Sequence, residues 1–155
     1  MRRSRLALAI VSIAVLAFGC SPSTESGPSE SNPAGRPATL AGTAWRVVSV
    51  GGRAPVAAAR PTAVFSADRI TGSGGCNTYG GRYQYDPAAG RIEMRDLGMT
   101  LMACVEGPRN DFETAFFQAL GQANLVSVDA QGRMGLSGPG GVIVLELDPQ
   151  RAVEG

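Results

Sequence analysis

Only one stretch of this 155-residue sequence spaces its apolar residues as a helix does. Between Pro108 and Leu120, residues Phe112, Ala115, Phe116, Ala119 and Leu120 fall at i, i+3, i+4, i+7 and i+8, with Arg109, Asp111, Glu113 and Gln118 placed elsewhere on the helix. Pro108 suits the first turn, where its missing N–H costs nothing, and Gly121 is expected to end the helix in a left-handed cap. Every other patterned run from Leu40 onward is short, apolar and bounded by turn residues. A parallel α/β sheet needs a crossover helix for each strand pair, so one helix among many strands excludes it. The expected class is α+β: a mostly antiparallel, curved sheet whose open face or mouth is covered by a single helix.

The strands follow from the same pattern. Trp45–Val50 ends at Gly51-Gly52; Thr62–Ser66 and Ile70–Ser73 flank a turn at Asp68-Arg69. Arg82–Tyr85 and Arg91–Met94 enclose Asp86-Pro87-Ala88-Ala89-Gly90, a hairpin loop. Leu125–Val128 turns at Gln131-Gly132 into Met134 and Leu136, and Val142–Leu147 closes the series. That last run is almost continuously apolar, which predicts a strand covered on both faces.

The first residues belong to a different kind of segment. Arg2, Arg3 and Arg5 precede an apolar run of 13 residues, Leu6–Phe18, too short to span a bilayer comfortably and suited to a signal peptide. Gly19-Cys20 follows, and a small residue before a cysteine there resembles the lipobox of bacterial lipoproteins. Ala17 and Phe18 depart from its common pattern, and Leu16 stands one place early. An ordinary signal peptide with Cys20 near the cut is the alternative. Ser21–Pro37, full of Ser, Pro and Gly, buries nothing and reads as a tether. The expected organisation is therefore a signal peptide over 1–19, a lipidated Cys20 with its tether over 20–37, a folded domain over 38–148 and a frayed tail over 149–155.

Charge and residue choice narrow the function. From Cys20 onward there are 11 Arg against 13 Asp and Glu, a balance unsuited to nucleic acid. No histidine and no lysine occur, which removes Ser-His-Asp and Cys-His catalysis, the helical zinc motif, the P-loop and Schiff-base chemistry. Asp68, Asp86, Glu93, Asp96 and Glu113 are scattered, so no carboxylate pair is expected, nor any catalytic residue, metal or cofactor. Gly72-x-Gly74-x-x-Asn77 lacks the third glycine of a dinucleotide loop.

Cys76 and Cys104 are the cysteines left to the exported domain. A structural disulfide is the first reading, worth roughly 3.5 kcal/mol in the chain-entropy model. Two buried thiols or a redox pair are the alternatives, the last disfavoured by the lack of a Cys-x-x-Cys spacing.

Three segments then carry a resemblance: Gly72-x-Gly74-Gly75-Cys76-Asn77-Thr78-Tyr79-Gly80-Gly81-x-Tyr83, Thr100-x-Met102-Ala103-Cys104, and Glu113-x-x-Phe116-x-x-Ala119-Leu120. With Leu40-x-Gly-Thr-x-Trp45 and Gly51-Gly-Arg-x-Pro55-Val56 before them, they resemble the META, or HslJ-like, domain over about Leu40 to Leu147. The resemblance implies a compact, mostly antiparallel β-structure with one helix, an incompletely closed barrel-like sheet, in a family with many bacterial envelope lipoproteins. One branch is named for heat-shock induction and linked to novobiocin resistance, and a protozoan member is associated with virulence. No enzymatic activity comes with it.

The expected function is a non-catalytic lipoprotein of the cell envelope, exported and held to the membrane by lipid on Cys20. It would act in stress or antibiotic tolerance through envelope or protein contacts. With Ser21 rather than Asp after Cys20, the outer membrane is the expected address in a two-membrane host. The alternative is a carrier of an apolar small molecule or lipid, pilotin-like in form, using a pocket lined by Met94, Met99, Met102, Phe112 and Phe116; an ordinary core is the rival use of those residues. A thiol oxidoreductase ranks last. Asn77 is expected to be structural, satisfying backbone groups in a tight turn.

Overall fold

The structure is a computed structural model, and it describes residues 35–57, 59–102 and 107–150. The strands are β1 (Thr43–Val50), β2 (Thr62–Phe65), β3 (Arg69–Ser73), β4 (Thr78–Asp86), β5 (Arg91–Met99), β6 (Leu125–Val128), β7 (Met134–Ser137) and β8 (Ile143–Gln150). Helix α1 (Gly107–Gln122) lies between β5 and β6 in the chain, and Pro139–Gly141 form a 3₁₀ turn. Every neighbouring pair is antiparallel, and the order β1 to β8 closes on itself.

The barrel is closed, which corrects the expected opening. β8 pairs with β1 from Ala44↔Gln150 to Val50↔Leu145, joining the two ends of the strand series. The narrow seam is β5–β6, where Arg91↔Leu125 is the ladder pair. It is held by Ile92 N–H to Asn124 O at 3.0 Å and Val126 N–H to Gly90 O at 2.8 Å. Strand patterns in a sequence show which segments pair with something, but closure depends on whether the first finds the last.

Alternation sets the core. Trp45, Val47, Phe65, Ile70, Leu145 and Leu147 are buried, as are Phe112, Phe116 and Leu120 of α1 in the same cluster. The helix lies against β1, β5 and β8. Phe65 and Tyr83 meet edge to face with centroids 5.0 Å apart, a packing preferred by ring quadrupoles. All three tyrosine hydroxyls donate to main-chain carbonyls: Tyr79 to Thr62 at 2.9 Å, Tyr83 to Ser66 at 2.9 Å and Tyr85 to Pro37 at 2.8 Å.

Several local expectations change. The helix runs through Gly121 to Gln122, so Gly121 is not a left-handed cap. β8 is buried on one side only: Leu145 and Leu147 point inward, while Ile143 is exposed beside Val142. A continuous apolar run is thus an ordinary barrel strand with an uncovered outer face. β8 also continues to Gln150, two residues beyond the expected domain edge, by pairing with Ala44 and Trp45. β5 extends past Met94 to Met99 through a bulge in which Asp96 and Leu97 face Gly81. Asp96 takes φ +52° there, the left-handed conformation that lets an extra residue fit such a bulge.

The turns behave as their residues require. Asp86 Oδ1 accepts N–H bonds from Ala88 (2.9 Å) and Ala89 (3.2 Å). Val50 and Arg53 exchange backbone bonds of 2.9 and 3.0 Å across Gly51-Gly52.

Candidate functional site: a polar clamp at one end of the barrel

The segments that single this sequence out converge at one end of the barrel. The chain leaves β3 at Ser73 and turns through Gly74–Asn77, where Gly74 N–H bonds Asn77 O at 2.8 Å. That turn meets the start of α1 on one side and Thr100–Met102, after β5, on the other.

Glu113 joins them. Its Oε1 accepts the N–H groups of Cys76 (3.1 Å) and Asn77 (2.6 Å), and its Oε2 accepts Asn77 Nδ2 at 2.5 Å. Only 3% of Glu113 is exposed. A carboxylate so far from water is tolerable where donors surround it, and here three do.

Asn77 carries the connection onward. Its Oδ1 accepts Thr100 Oγ1–H at 3.0 Å and Met102 N–H at 2.7 Å. Thr100 Oγ1 in turn accepts Thr78 N–H at 3.2 Å, and Thr100 N–H bonds Thr78 O at 2.9 Å. One helix carboxylate thereby fixes a turn, and one amide in that turn fixes a second loop. Held between Thr100 and Met102, Leu101 is 93% exposed, and Met102 itself is 59% exposed.

Close approach explains the glycines. A Cβ on Gly72 would sit 2.1 Å from Thr62 O, and one on Gly74 would sit 2.6 Å from Glu113 Oε1. Gly75 has φ +122°; Gly80 lies within β4, paired with Thr71 and Gly98. Tyr79 packs edge-on against Phe116 and Phe117, and burial pushes its phenol well above the usual range. Thr78 opens β4 at the exposed edge of the clamp.

The five residues expected to line an apolar pocket are divided between the core and the surface. Phe112 and Phe116 are core residues, Met94 and Met99 are partly buried against that core, and Met102 points outward. None of the five lines the larger clefts, which are open to solvent. Large side chains such as Phe65, Ile70 and Met134 fill the barrel interior.

Cys76 is a disulfide half-cystine, with Sγ 4.0 Å from Met102 O. Its expected partner Cys104, with Ala103 and Cys20, lies outside the described residues. Among the described residues no group of three or more His, Cys, Asp or Glu is placed to hold a metal.

Glu113 is the functional residue that periodicity misplaced, since it was assigned away from the apolar stripe. The signal was present. Phe116, Phe117 and Leu120 stand at i+3, i+4 and i+7 from Glu113, so it shares their side of the helix.

The model of the META domain matches residues 38–150, which include every element of the clamp and the barrel. The chain belongs to the META domain family. No curated protein matches it. Among solved structures, the META barrel is similar to a protein from Burkholderia xenovorans determined by NMR, with 26% identity and TM-score 0.59 over 72% of this chain and 84% of that one. A second NMR structure shares the fold at 22% identity and TM-score 0.56, over 70% of this chain and 90% of that one.

Proposed function

We propose that this META-domain protein is a non-catalytic lipoprotein of the bacterial cell envelope that supports stress or antibiotic tolerance by making protein or envelope contacts. The observation that carries the reading is the exposed Leu101–Met102 tip, anchored by Asn77. Two adjacent exposed apolar side chains offer a contact surface, and a loop pinned by partly buried polar bonds holds them in one position. Glu113 supports the same reading. Its oxygens are occupied by Cys76 and Asn77 donors, so it serves as a structural acceptor rather than an acid or base.

Lipidation of Cys20 and export follow from the N-terminal pattern, and a Cys76–Cys104 bridge fits a half-cystine lying beside Met102, two residues before Cys104. Gly35 and Arg36 bond Val128 N–H and Ala88 O at the hairpin end of β4–β5, and nine residues of β5 separate that end from the tip. At about 3.3 Å per residue this is roughly 30 Å.

The test is genetic and biophysical together. Replacing Leu101 and Met102 by Ser should leave the melting temperature unchanged yet reproduce the heat and hydrophobic-antibiotic sensitivity of a gene deletion. A doubly substituted protein that fully complements the deletion would reject the contact reading.

A further inference from the structure

The barrel interior is filled, but a cleft of about 340 Å³ lies against the outside of β1, lined by residues including Arg46, Val48, Pro55, Val56, Arg60 and Pro61. It exists because two neighbours leave β1 at the same place. β2 begins only at Thr62, and its last pair with β1 is Arg46↔Thr62. Beyond it, Val47 N–H is taken by Pro61 O at 3.0 Å, and Val50 and Arg53 exchange backbone bonds at the far end of the strand. On the other side, the register with β8 slips between Val47 and Ser49, which makes Val48 the extra residue of a bulge.

The lining is of two kinds. Val48, Pro55 and Val56 are only partly buried and give an apolar floor. Arg46 and Arg60 stand at its rim, and they differ in how they are paired. Arg46 Nη2 lies 3.2 Å from Asp148 Oδ2. Arg60 has no ion pair among the described residues; its Nη1 donates to Ala57 O at 2.9 Å and Ala59 O at 3.2 Å. Those bonds orient the guanidinium while its remaining N–H groups stay available, and a planar fork of that kind matches a carboxylate.

We propose that this cleft binds a medium-chain fatty-acid anion, with hydrocarbon over Val48, Pro55 and Val56 and carboxylate on Arg60. The volume lies within the range of small-ligand sites. An apolar floor with one cationic rim group free of a carboxylate is complementary to an amphipathic anion, whereas neither a neutral alkyl chain nor a small anion uses both parts. The site is separate from the Leu101–Met102 tip, and it does not depend on the contact reading.

The experiment is a titration of the purified protein with decanoate, kept below its micelle-forming concentration and followed by methyl NMR. Acetate and decanol serve as partial ligands. Saturable shifts are expected at Val48 and Val56, with acetate and decanol each at least about tenfold weaker. Arg60→Gln should weaken decanoate by about tenfold, as expected for one charge-assisted contact, while Arg60→Lys retains most of the affinity and controls for loop disturbance. Equal binding of decanol and decanoate, unchanged affinity in Arg60→Gln, or no saturable shift at all would overturn the proposal. Shifts largest at Ile70 and Leu136 would also overturn it, by moving the ligand into the barrel.

Discussion

Two carboxylates at opposite ends of the barrel do the same chemistry in different surroundings. Glu113 accepts three hydrogen bonds from Cys76 and Asn77, residues 36 and 37 positions away in the chain. Asp129 accepts three as well, from Gln131 N–H, Arg133 N–H and Arg133 Nε–H, at 2.9, 2.9 and 2.8 Å, all within four positions. Glu113 is buried, and Asp129 is exposed. Donors facing Asp129 return to water when it is removed, but donors facing Glu113 have nowhere to go. The buried carboxylate therefore holds tertiary structure, while the exposed one shapes a turn.

Glu113→Ala is the harshest way to probe that contrast. It leaves two buried donors on Asn77 and a partly buried one on Cys76 unpaired, so a loss of roughly 3–5 kcal/mol in urea-induced unfolding is expected. A loss no larger than that of Asp129→Ala, measured side by side, would mean the clamp is not the stronger end.

Asn77→Ala should come next, at about 1–3 kcal/mol, because it removes the acceptor of Thr100 and Met102. Its more telling readout is hydrogen exchange. The Met102 amide should lose protection while Leu136 and Leu145 in the barrel keep theirs.

Glu113→Gln is milder, since one oxygen still accepts the two N–H groups, but its amide NH₂ then confronts Asn77 Nδ2. Adding Asn77→Asp puts an acceptor opposite that new donor. The double variant should be more stable than the sum of the single losses, and simple additivity in a double-mutant cycle would deny the direct pairing.

The smallest effect concerns acid. Asp129 is held below its ordinary value by the Arg133 backbone N–H, then by the Arg133 side chain and the Gln131 N–H. A depressed carboxyl contributes stability at pH values above its unfolded pKa of about 3.9, and that contribution disappears as pH falls through the lower folded value. Wild type and Asp129→Asn should differ slightly at pH 6 and converge in strong acid. A difference that grows on acidification would have the wrong sign.

Much of the barrel was legible because strand alternation and turn residues are local signals. Gly51-Gly52, Asp86–Gly90 and Gln131-Gly132 each turn the chain where their chemistry predicts, and the helical stripe Phe112–Phe116–Leu120 is buried. Nonlocal features were not legible. Closure depends on Ala44 meeting Gln150, and no property of either residue announces it. Met and Phe fill a core and line a cavity equally well, so only packing separates the uses. A turn amide such as Asn77 signals backbone satisfaction, but its reach to Met102 depends on β5 bringing Thr100 alongside Thr78.

Closure through the first and last strands also constrains how the fold is reached in time. β1 can complete its ladder only with Ile143–Gln150, the strand of the barrel farthest from it in chain order. Until those residues arrive, β1 lacks one neighbour and the ring has no final contact to close it. Joining segments so distant in sequence is slow, because the loop must be ordered before the contact rewards it. The barrel thus stays open until β8 docks on β1, and only then does it become a closed body.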